Sequence, residues 1–256
     1  MQDCNFLGAY SLFSKEVRRF LKVYNQTLII PVITSLLFLA VFSLALGGRV
    51  ETIGTLPFKE FMAAGLIMMA VMQNAFANTS SSFIMGKVLG TIIDYLMPPL
   101  SAFEITCSMV LAGVVRGLIV GLLVLISVAF FIDINIHSIG YTLFFIISAS
   151  MLLSLLGLFA GIVAETFDQM AAVTSYLITP MTFLSGTFYS IHKLPEFWQT
   201  VSHANPFFYM IDGFRYGLTG YHDGNLNVGV IVMLVANMFI WTVVQVMIKK
   251  GYRIKS

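Results

Sequence analysis

The apolar positions of this chain fall into six long, nearly continuous stretches. They cover residues 27–47, 61–84, 106–131, 139–163, 171–190 and 227–248. A helix needs about 20 apolar residues to cross about 30 Å of hydrocarbon. Apolar and polar residues do not alternate with the period of two that a transmembrane β-barrel requires. The pattern therefore predicts an all-α integral membrane protein with six transmembrane helices, forming a single transmembrane domain over residues 1–256.

The segment before the first stretch, residues 10–25, has the period of an amphipathic helix. Apolar side chains recur on one side of it, and the other side carries Lys15, Arg18, Arg19 and Lys22. Such a helix lies in the membrane interface with its basic side toward anionic lipid headgroups. An ordinary cytoplasmic positive patch is the alternative. Both interpretations place this segment on the cytoplasmic side.

The basic residues also predict the orientation of the helices. Six spans put both termini on one side, and nine of the fourteen basic residues fall there, against four on the other side. Positive charge is retained on the cytoplasmic face. Both termini are therefore predicted to be cytoplasmic. This asymmetry explains the basic clusters, so the net charge of +2 gives no reason to expect a nucleic acid partner.

Composition strengthens the membrane assignment. The chain is 58% apolar and only 10% charged, whereas an average soluble domain is about 25% charged. So few charged side chains cannot cover the surface of a soluble protein of this size. A soluble globular protein is therefore excluded.

The predicted cytoplasmic loop after the second stretch contains another helical pattern. Its apolar residues run over 86–98, where prolines end the pattern because proline lacks an N–H and displaces the residue before it from helical geometry. An apolar helix exposed to cytoplasm needs a lipid surface or a partner protein to cover it. We predict a docking helix, with a simple connector as the alternative. Its candidate residues are Ile92, Ile93, Asp94, Leu96, Pro98 and Pro99.

Two stretches carry polar or small residues at membrane depth. The second contains Asn74, Asn78 and Ser81, which either line a solute path or hydrogen-bond to neighbouring helices. The third contains Arg116, which is expected either to snorkel toward the cytoplasmic edge as an anchor or to serve a function. Glycines at 113, 117 and 121 form a stripe there, which favours packing inside one bundle over dimerisation.

The outer connection, residues 191–226, is too apolar for a flexible loop. Short helices are predicted over residues 194–203 and 206–218, starting near prolines, because proline is well suited to the first helical position. We expect them to lie at the outer membrane surface or to re-enter it, with aromatic residues at interfacial depth.

No catalytic motif is present in the sequence. It contains no G-x-x-x-x-G-K-[ST] phosphate loop, no G-x-S-x-G, no H-E-x-x-H and no C-x-x-C. The four histidines have no recognised metal-ligand spacing. We therefore predict that the chain is not an enzyme and has no cofactor or metal site of its own.

The order of these features resembles the permease subunit of a type-2 (ABC-2) ABC exporter, most closely the YadH-like branch. The resemblance covers about residues 10–255. It rests on PPLS at 98–101, on P-x-x-F-L-S-G-x-F-Y-S-I-x-x-L-P-x-F-W-Q from residue 180, and on H-x-N-P-F-F-Y-M-I-D-G-F-R-Y-G from residue 203. The motif positions of the outer part include Pro180, Ser185, Gly186, Pro195, Asn205, Pro206 and Arg215.

The resemblance implies a function. Two copies of the chain would form a homodimer in the bacterial inner membrane, and each would meet a separate ABC ATP-binding subunit through the 86–98 helix, which would be the coupling helix. ATP and Mg²⁺ would bind to that partner. Residues 191–220 would be re-entrant helices at the exit of the translocation path.

Two rival functions remain open from the sequence. An ATP-independent carrier or channel would need ionisable groups for a coupling ion, yet only Arg116 is charged within the predicted spans. A membrane scaffold protein is the other rival. The transported substrate is not predicted beyond lipids, amphipathic drugs or glycans.

Overall fold

The computed structural model describes residues 5–46 and 52–253, apart from the side chains of Leu46, Tyr95 and Leu96. The predicted end of the first span at residue 47 and the basic residues Arg49 and Lys255 lie outside this part. The described helices are α1 (Phe6–Lys22), α2 (Ile30–Leu46), α3 (Phe58–Val88), α4 (Ile93–Leu96), α5 (Ala102–Ala129), α6 (Ile139–Val163), α7 (Phe167–Val173), α8 (Thr179–Leu184), α9 (Glu196–Ala204), α10 (Pro206–Thr219) and α11 (Leu226–Lys250).

Shorter elements join these helices. A π-helical turn, Asn25–Ile29, precedes α2, and a second one, Thr174–Ile178, joins α7 to α8. A 3₁₀ turn, Ile191–Lys193, precedes α9. Strands β1 (Thr52–Ile53) and β2 (Leu56–Pro57) form a small antiparallel hairpin before α3. Apart from this hairpin, the regular elements of the described residues are helical, so the predicted all-α fold is confirmed.

Within the described residues, five helical segments are long and apolar enough to cross a membrane. They are Asn25–Ala45, Phe58–Val88, Ala102–Ala129, Ile139–Val163 and Leu226–Lys250. These agree in position with five of the six predicted spans. The sixth, predicted over residues 171–190, corresponds to α7, the π-helical turn and α8, so the six-span count stays a prediction.

The helix of that segment ends earlier than its apolar pattern indicates. It stops at Leu184 because Gly186 adopts a left-handed backbone conformation with φ of 72°. The hydroxyl of Thr187 then donates to the carbonyl of Thr182 over 2.8 Å and holds the turn closed. Residues 185–190 are therefore a compact turn and not the last part of a span.

Helix α3 lies at the centre of the molecule and packs against α2, α5, α6 and α10. Its backbone approaches α6 closely because α6 has small residues at the contact. A Cβ added at Gly157 would lie 2.4 Å from the carbonyl oxygen of Phe76. Thr79 also donates its hydroxyl to the carbonyl of Ser154 over 2.7 Å. The predicted glycine stripe on α5 serves the same bundle, since a Cβ at Gly113 would lie 2.2 Å from the Ser154 hydroxyl.

The amphipathic helix α1 packs on α5 at the end of the bundle that the sequence predicts to be cytoplasmic, hereafter the cytoplasmic end. It covers Phe6–Lys22, a few residues earlier than the predicted 10–25. The amide of Asn5 donates to a carboxylate oxygen of Glu104 over 2.5 Å, and the Ser108 hydroxyl donates to the carbonyl of Ala9 over 2.9 Å. Glu104 also forms a capping box with Ser101 at the start of α5. These bonds anchor the start of α1 to the bundle.

The outward faces of two spanning helices are apolar and uncovered. In the most apolar 18 residues of each helix, only 11% of the first span and 22% of α11 are buried inside the chain. A helix that is apolar all round belongs in lipid or against another protein. These faces are therefore the ones that meet the bilayer or another subunit.

Gly157→Ala is expected to destabilise the protein, because its methyl group would overlap the α3 backbone. Overpacking of this kind costs about 1–3 kcal/mol, or about 2–4 °C of unfolding midpoint for each kcal/mol in a chain of this size. Thermal unfolding of the detergent-purified protein measures it.

Gly140→Ala is the control in the same helix, because nothing lies within 4 Å of a Cβ at that position. We expect it to leave the midpoint unchanged or to raise it slightly, since alanine favours helix. Equal midpoints for the two variants would contradict the close contact between α6 and α3.

Candidate translocation path and its two ends

A cavity of about 490 Å³ lies between the cytoplasmic half of α3 and the α7–α8 segment. Its walls combine amide and hydroxyl groups with apolar side chains. The lining residues are Gln73, Asn74, Phe76, Ala77, Ser80, Ser81 and Ile84 from α3, and Phe167, Met170, Ala171, Thr174, Ile178 and Thr179 from the facing segment. The cavity is thus amphipathic, and none of its described lining residues is charged.

A smaller cavity, of about 140 Å³, lies between α3 and α2. Gln73 and Asn74 line both cavities. Of the three residues proposed from the sequence to line a path, Asn74 and Ser81 line the larger cavity. Asn78 does not, because its side chain is fully buried on the side toward α1.

Arg116 does not reach the cytoplasmic edge, contrary to one of the two expectations from the sequence. It is only 8% exposed, and its Nη2 donates to the Asn74 side-chain oxygen over 2.8 Å. It lies about 21 Å along α5 from the cytoplasmic end and about 20 Å from the other end, at 1.5 Å per residue. Asn74 holds the guanidinium between the helices, so it cannot snorkel.

Arg19 also lies elsewhere than predicted. It was expected on the lipid-facing basic side of α1, but its guanidinium contacts α3. It donates to the carbonyl of Asn78 over 2.7 Å and to the Ser81 hydroxyl over 3.4 Å. Glu16, one turn earlier, is buried and pairs with Arg19 over 3.0 Å. The polar cytoplasmic half of α3 explains this, because it supplies hydrogen-bond acceptors within reach of the guanidinium.

The other three basic residues of α1 remain at its surface. The side chains of Lys15, Arg18 and Lys22 are exposed, as expected for an interfacial helix. Only Arg19 turns inward, at the helix position that follows Glu16 by three residues. Their predicted contact with headgroups stays a prediction.

The loop after α3 is less helical than its sequence pattern. The helix predicted over residues 86–98 is reduced to the four residues Ile93–Leu96. Residues up to Val88 continue α3, and Gly90, with φ of 71°, ends it in a left-handed turn. The predicted helix is therefore two elements separated by a glycine turn.

Within this loop the candidate residues divide into an anchor and an exposed edge. Ile92 is buried in a cluster with Leu12, Phe83 and Ile105. Ile93, Asp94, Pro98 and Pro99 are exposed, and Met97 is 78% exposed. The side chain of Leu96 lies outside the described residues. The loop thus presents apolar groups around one acidic group to solvent.

At the opposite end of the bundle, which the sequence predicts to face outward and which is hereafter the outer end, α8, α9 and α10 meet around Asn205. This residue caps α10 by accepting from the amide of Phe207 over 3.0 Å, and Pro206 occupies the first helical turn. Its amide nitrogen donates to the Met181 carbonyl over 3.1 Å and to the Ser185 hydroxyl over 2.9 Å. The motif residues Ser185, Asn205 and Pro206 are therefore in one cluster.

Two motif prolines lie near that cluster. Pro195 is the residue immediately before α9, where proline is well suited to the start of a helix. Pro180 follows the π-helical turn Thr174–Ile178 within one continuous helical segment, so it does not begin a separate helix. It lacks the N–H that a helix interior uses, and it stands where the α-helical pattern is already interrupted.

Arg215, on α10, is the centre of a second buried cluster. Its Nη2 donates to the carbonyl of Gly186 over 2.6 Å, and its guanidinium stacks 3.7 Å from the centroid of the Phe61 ring. Asp212 lies 3.7 Å from it, one turn earlier on α10. Arg215 therefore ties the turn after α8 and the start of α3 to α10.

The acidic partners continue this cluster. Asp212 accepts the backbone amides of Asp223 and Gly224 over 2.7 and 2.9 Å. Asp223 accepts the hydroxyls of Ser190 and Tyr221 over 2.9 and 2.8 Å. Burial, and then the hydrogen bond to Asp223, raises the pKa of Tyr221, so it stays a neutral donor. The loop before α11 is thus fixed to α10.

Helix α10 is covered by the helix bundle. Phe207, Phe208 and Tyr209 are buried within the chain, and α10 packs against α3, α6 and α11, whereas the interfacial depth expected for these residues stays a prediction. Trp198 on α9 remains exposed. The outer region therefore consists of one buried helix, α10, and one peripheral helix, α9.

Comparison with known proteins identifies the family of the chain. Residues 9–219 match the model of the ABC-2 type transporter family. The chain belongs to the ABC-2 type transporter family. Inner membrane transport permease YadH from Escherichia coli (strain K12) is 39% identical over 249 residues, covering 96% of this chain and 97% of YadH. The protein of the same name from Shigella flexneri matches equally. Nodulation protein J from Sinorhizobium fredii (strain NBRC 101917 / NGR234) is 23% identical over 171 residues, covering 66% of this chain and 65% of that protein.

As an ABC-2 family member, the chain is the membrane subunit of an ABC transporter. The family match includes most of α1, the α4 loop and both outer helices, and it ends just before the loop that contains Asp223. The sequence resemblance to ABC-2 permeases is thereby confirmed.

Several residues of the ABC-2 clusters were not identified from the sequence. The buried residues around Arg215 and the turn after α8 form what we call the outer cluster, and those missed there are Asp212, Asp223, Phe61 and Thr187. Glu16, the partner of Arg19, was also missed. A detectable signal existed for two of them, since Asp212 and Glu16 each precede an arginine by three residues, the spacing of a helical ion pair. No sequence signal places Phe61 beside Arg215, because 154 residues separate them.

Arg215→Gln is expected to destabilise this ABC-2 domain, because it leaves the buried Asp212 without its cationic partner. Removing one member of a buried pair costs about 3–5 kcal/mol. The measurement is the fraction of detergent-purified protein that remains monodisperse after heating, compared with the parent chain.

The matched control is Arg253→Gln. Arg253 and Glu165 form a pair at 3.6 Å with side chains 46% and 61% exposed, and exposed pairs contribute below about 1 kcal/mol. If both variants survive heating equally, Arg215 does not hold the outer cluster together.

Proposed function

We propose that two copies of this chain form the membrane unit of an ATP-driven exporter in a bacterial inner membrane. Each copy would bind a separate ABC ATP-binding subunit at the cytoplasmic face, and that partner would hold ATP and Mg²⁺ and hydrolyse the nucleotide. Membership of the ABC-2 transporter family supports the partnership. The name of the YadH relatives supports the inner membrane assignment.

The observation that carries the docking proposal is the exposed edge of the α4 loop. Ile93 and Met97 are 56% and 78% exposed, and Asp94 lies between them. Ile92 anchors the loop in the bundle by its burial. Such a loop suits a protein partner for two reasons. The buried Ile92 would pass movement of the partner on to the helix bundle, and binding would remove the exposed apolar side chains from water.

The translocation path would run along the polar face of α3. The larger cavity contains Asn74 and Ser81, and the smaller one opens beside the uncovered face of α2. A second copy against α2 would enclose these cavities between subunits. This is the reason to propose a homodimer with the path at its interface.

Helix α3 connects docking to transport in this scheme. It is continuous over Phe58–Val88, so its cytoplasmic end joins the α4 loop and its middle lines the cavity. Movement of the loop on ATP binding would shift residues at the cavity wall. Coupling of this kind requires an element whose contacts differ between states, and the loop and α1 are our candidates.

Asp94→Arg and Ile93→Glu are each expected to reduce binding of the ATP-binding subunit at least ~10-fold, equivalent to about 1.4 kcal/mol. The first reverses the charge of the exposed edge, and the second places a charge at an apolar position. The measurement is the amount of ABC ATP-binding subunit retained on the affinity-tagged chain from co-expressing cells, together with the ATP hydrolysis rate.

Asp168→Arg is the control. It makes the same charge change at an exposed residue of α7, in the other predicted cytoplasmic connection. Equal retention by Asp94→Arg and the parent chain would contradict the docking assignment. If the parent chain retains no ATP-binding subunit, the proposed function itself fails.

The orientation can be tested by labelling single cysteines in a chain with Cys4 and Cys107 changed to serine. We expect a membrane-impermeant maleimide to label Asn135→Cys in intact cells, because its connection lies on the predicted outer side. Lys249→Cys is expected to react only after permeabilisation, since basic residues at the end of α11 favour the cytoplasm.

Both positions are exposed in the structure, so a difference in labelling reports the side of the membrane. Labelling of both variants after permeabilisation is the control for reactivity. The reverse pattern in intact cells would overturn the cytoplasmic placement of the termini.

A further inference from the structure

Two arginines lie directly behind the wall of the larger cavity. Arg116 donates to the Asn74 side chain, and Arg19 donates to the Ser81 hydroxyl. Asn74 and Ser81 are both lining residues of that cavity. One neutral side chain therefore separates each guanidinium from the space within.

The positive charge there is not balanced within the described part of the chain. Arg19 is paired with Glu16. Arg116 has no carboxylate within 4.0 Å among the described residues, and its Nε is buried without a hydrogen-bond partner. A charge at this depth costs about 2.5–3.5 kcal/mol on insertion scales, so such residues usually face a partner or a pathway.

The unpaired group behind the cavity wall is a donor. Arg116 Nε is buried without a hydrogen-bond partner, and it belongs to the guanidinium that contacts the lining residue Asn74. Buried donors without partners are uncommon and call for an acceptor. The complementary ligand is therefore an acceptor group with negative charge.

The rest of the cavity indicates an apolar tail. Phe167, Met170 and Ile178 line the wall opposite α3, and no lining residue is acidic. A low-dielectric wall concentrates the field of the arginines behind it. We propose, resting on the proposed function, that the transported substrate is an amphiphile with an anionic head group, and that Arg116 and Arg19 select it through Asn74 and Ser81.

In this arrangement the head group enters the polar α3 side of the cavity and the tail packs on the apolar wall. The Asn74 side chain is the switching contact. Its oxygen accepts from Arg116, and its nitrogen donates to the carbonyl of Ala70 over 3.0 Å. Displacement of this amide gives the head group direct access to the Arg116 guanidinium, where a charge-assisted hydrogen bond is strongest.

The test compares three probes with the same tail on the purified full-length chain: dodecyl phosphate, dodecylphosphocholine and dodecyltrimethylammonium. Native mass spectrometry from non-ionic micelles measures how much of each remains bound. We expect at least ~10-fold preference for dodecyl phosphate over the cationic probe, or about 1.4 kcal/mol. Arg116→Gln and Arg19→Gln are expected to reduce that preference severalfold, and Arg116→Lys to keep most of it.

Arg18→Gln is the matched control, because it removes the same charge from an exposed position of α1. It is expected to keep the preference. Equal binding of all three probes to the parent chain overturns the proposal, as does equal loss in Arg18→Gln and Arg116→Gln. If Arg116→Gln does not fold, Arg19→Gln and the parent chain still decide the outcome.

A fourth arm uses inorganic phosphate at the same concentration. We expect it not to displace dodecyl phosphate, since it cannot use the apolar wall, and displacement would overturn the amphiphile assignment. None of these measurements requires the ATP-binding subunit. Loss of anion preference with intact docking therefore refutes this inference alone, whereas absent docking with intact preference refutes only the proposed function.

Discussion

The close backbone contact between α3 and α6 is the constraint on which the other features depend. It exists because Gly157 leaves no side chain between the helices, and Thr79 adds a hydrogen bond to the Ser154 carbonyl. In lipid there is little hydrophobic gain in bringing two apolar helices together, so small residues and interhelical hydrogen bonds supply the attraction. Once α3 is fixed this way, its polar face meets α1, α2 and the α7–α8 segment, and through Asn74 it also meets Arg116 of α5.

That polar face explains the placement of charge in the molecule. Asn78 and Ser81 draw Arg19 inward from an otherwise interfacial helix, and Asn74 holds Arg116 at mid-depth. At the outer end the same logic uses Arg215 and Asp212, with aromatic stacking on Phe61. Charges in this domain are buried where a polar or aromatic neighbour compensates part of their desolvation.

Much of the fold follows from the sequence because membrane helices are specified by length and apolar content. Five spans, α1, and the starts of α9 and α10 near Pro195 and Pro206 were predictable on that basis. Two helix ends were not, because Gly90 and Gly186 interrupt apolar runs with left-handed turns that hydropathy does not register. Apolar content indicates which segments lie in the membrane, but it does not show where a glycine turn ends a helix.

The site was predictable only in part, for a related reason. Asn74, Ser81 and Arg215 stand out because polar residues are rare in apolar stretches, and the structure places them at the cavity and in the outer cluster. Their partners are far away in sequence: Arg116 is 42 residues from Asn74, and Arg19 is 62 from Ser81. Pairing across helices depends on rotation about each axis, and that is set by packing.

The glycine contacts of α5 and α6 also limit how the molecule can change shape. Helix α5 touches α6 at Gly113 and Gly117, and α6 touches α3 at Gly157, so these helices cannot slide by a turn without meeting larger residues. Such cores are bistable or rigid rather than continuously deformable. Helices α3, α5 and α6 therefore move as one rigid unit. Movement of the α4 loop would shift the α3 wall of the cavity together with that unit, relative to the more lightly packed α2 and α7–α8 segment.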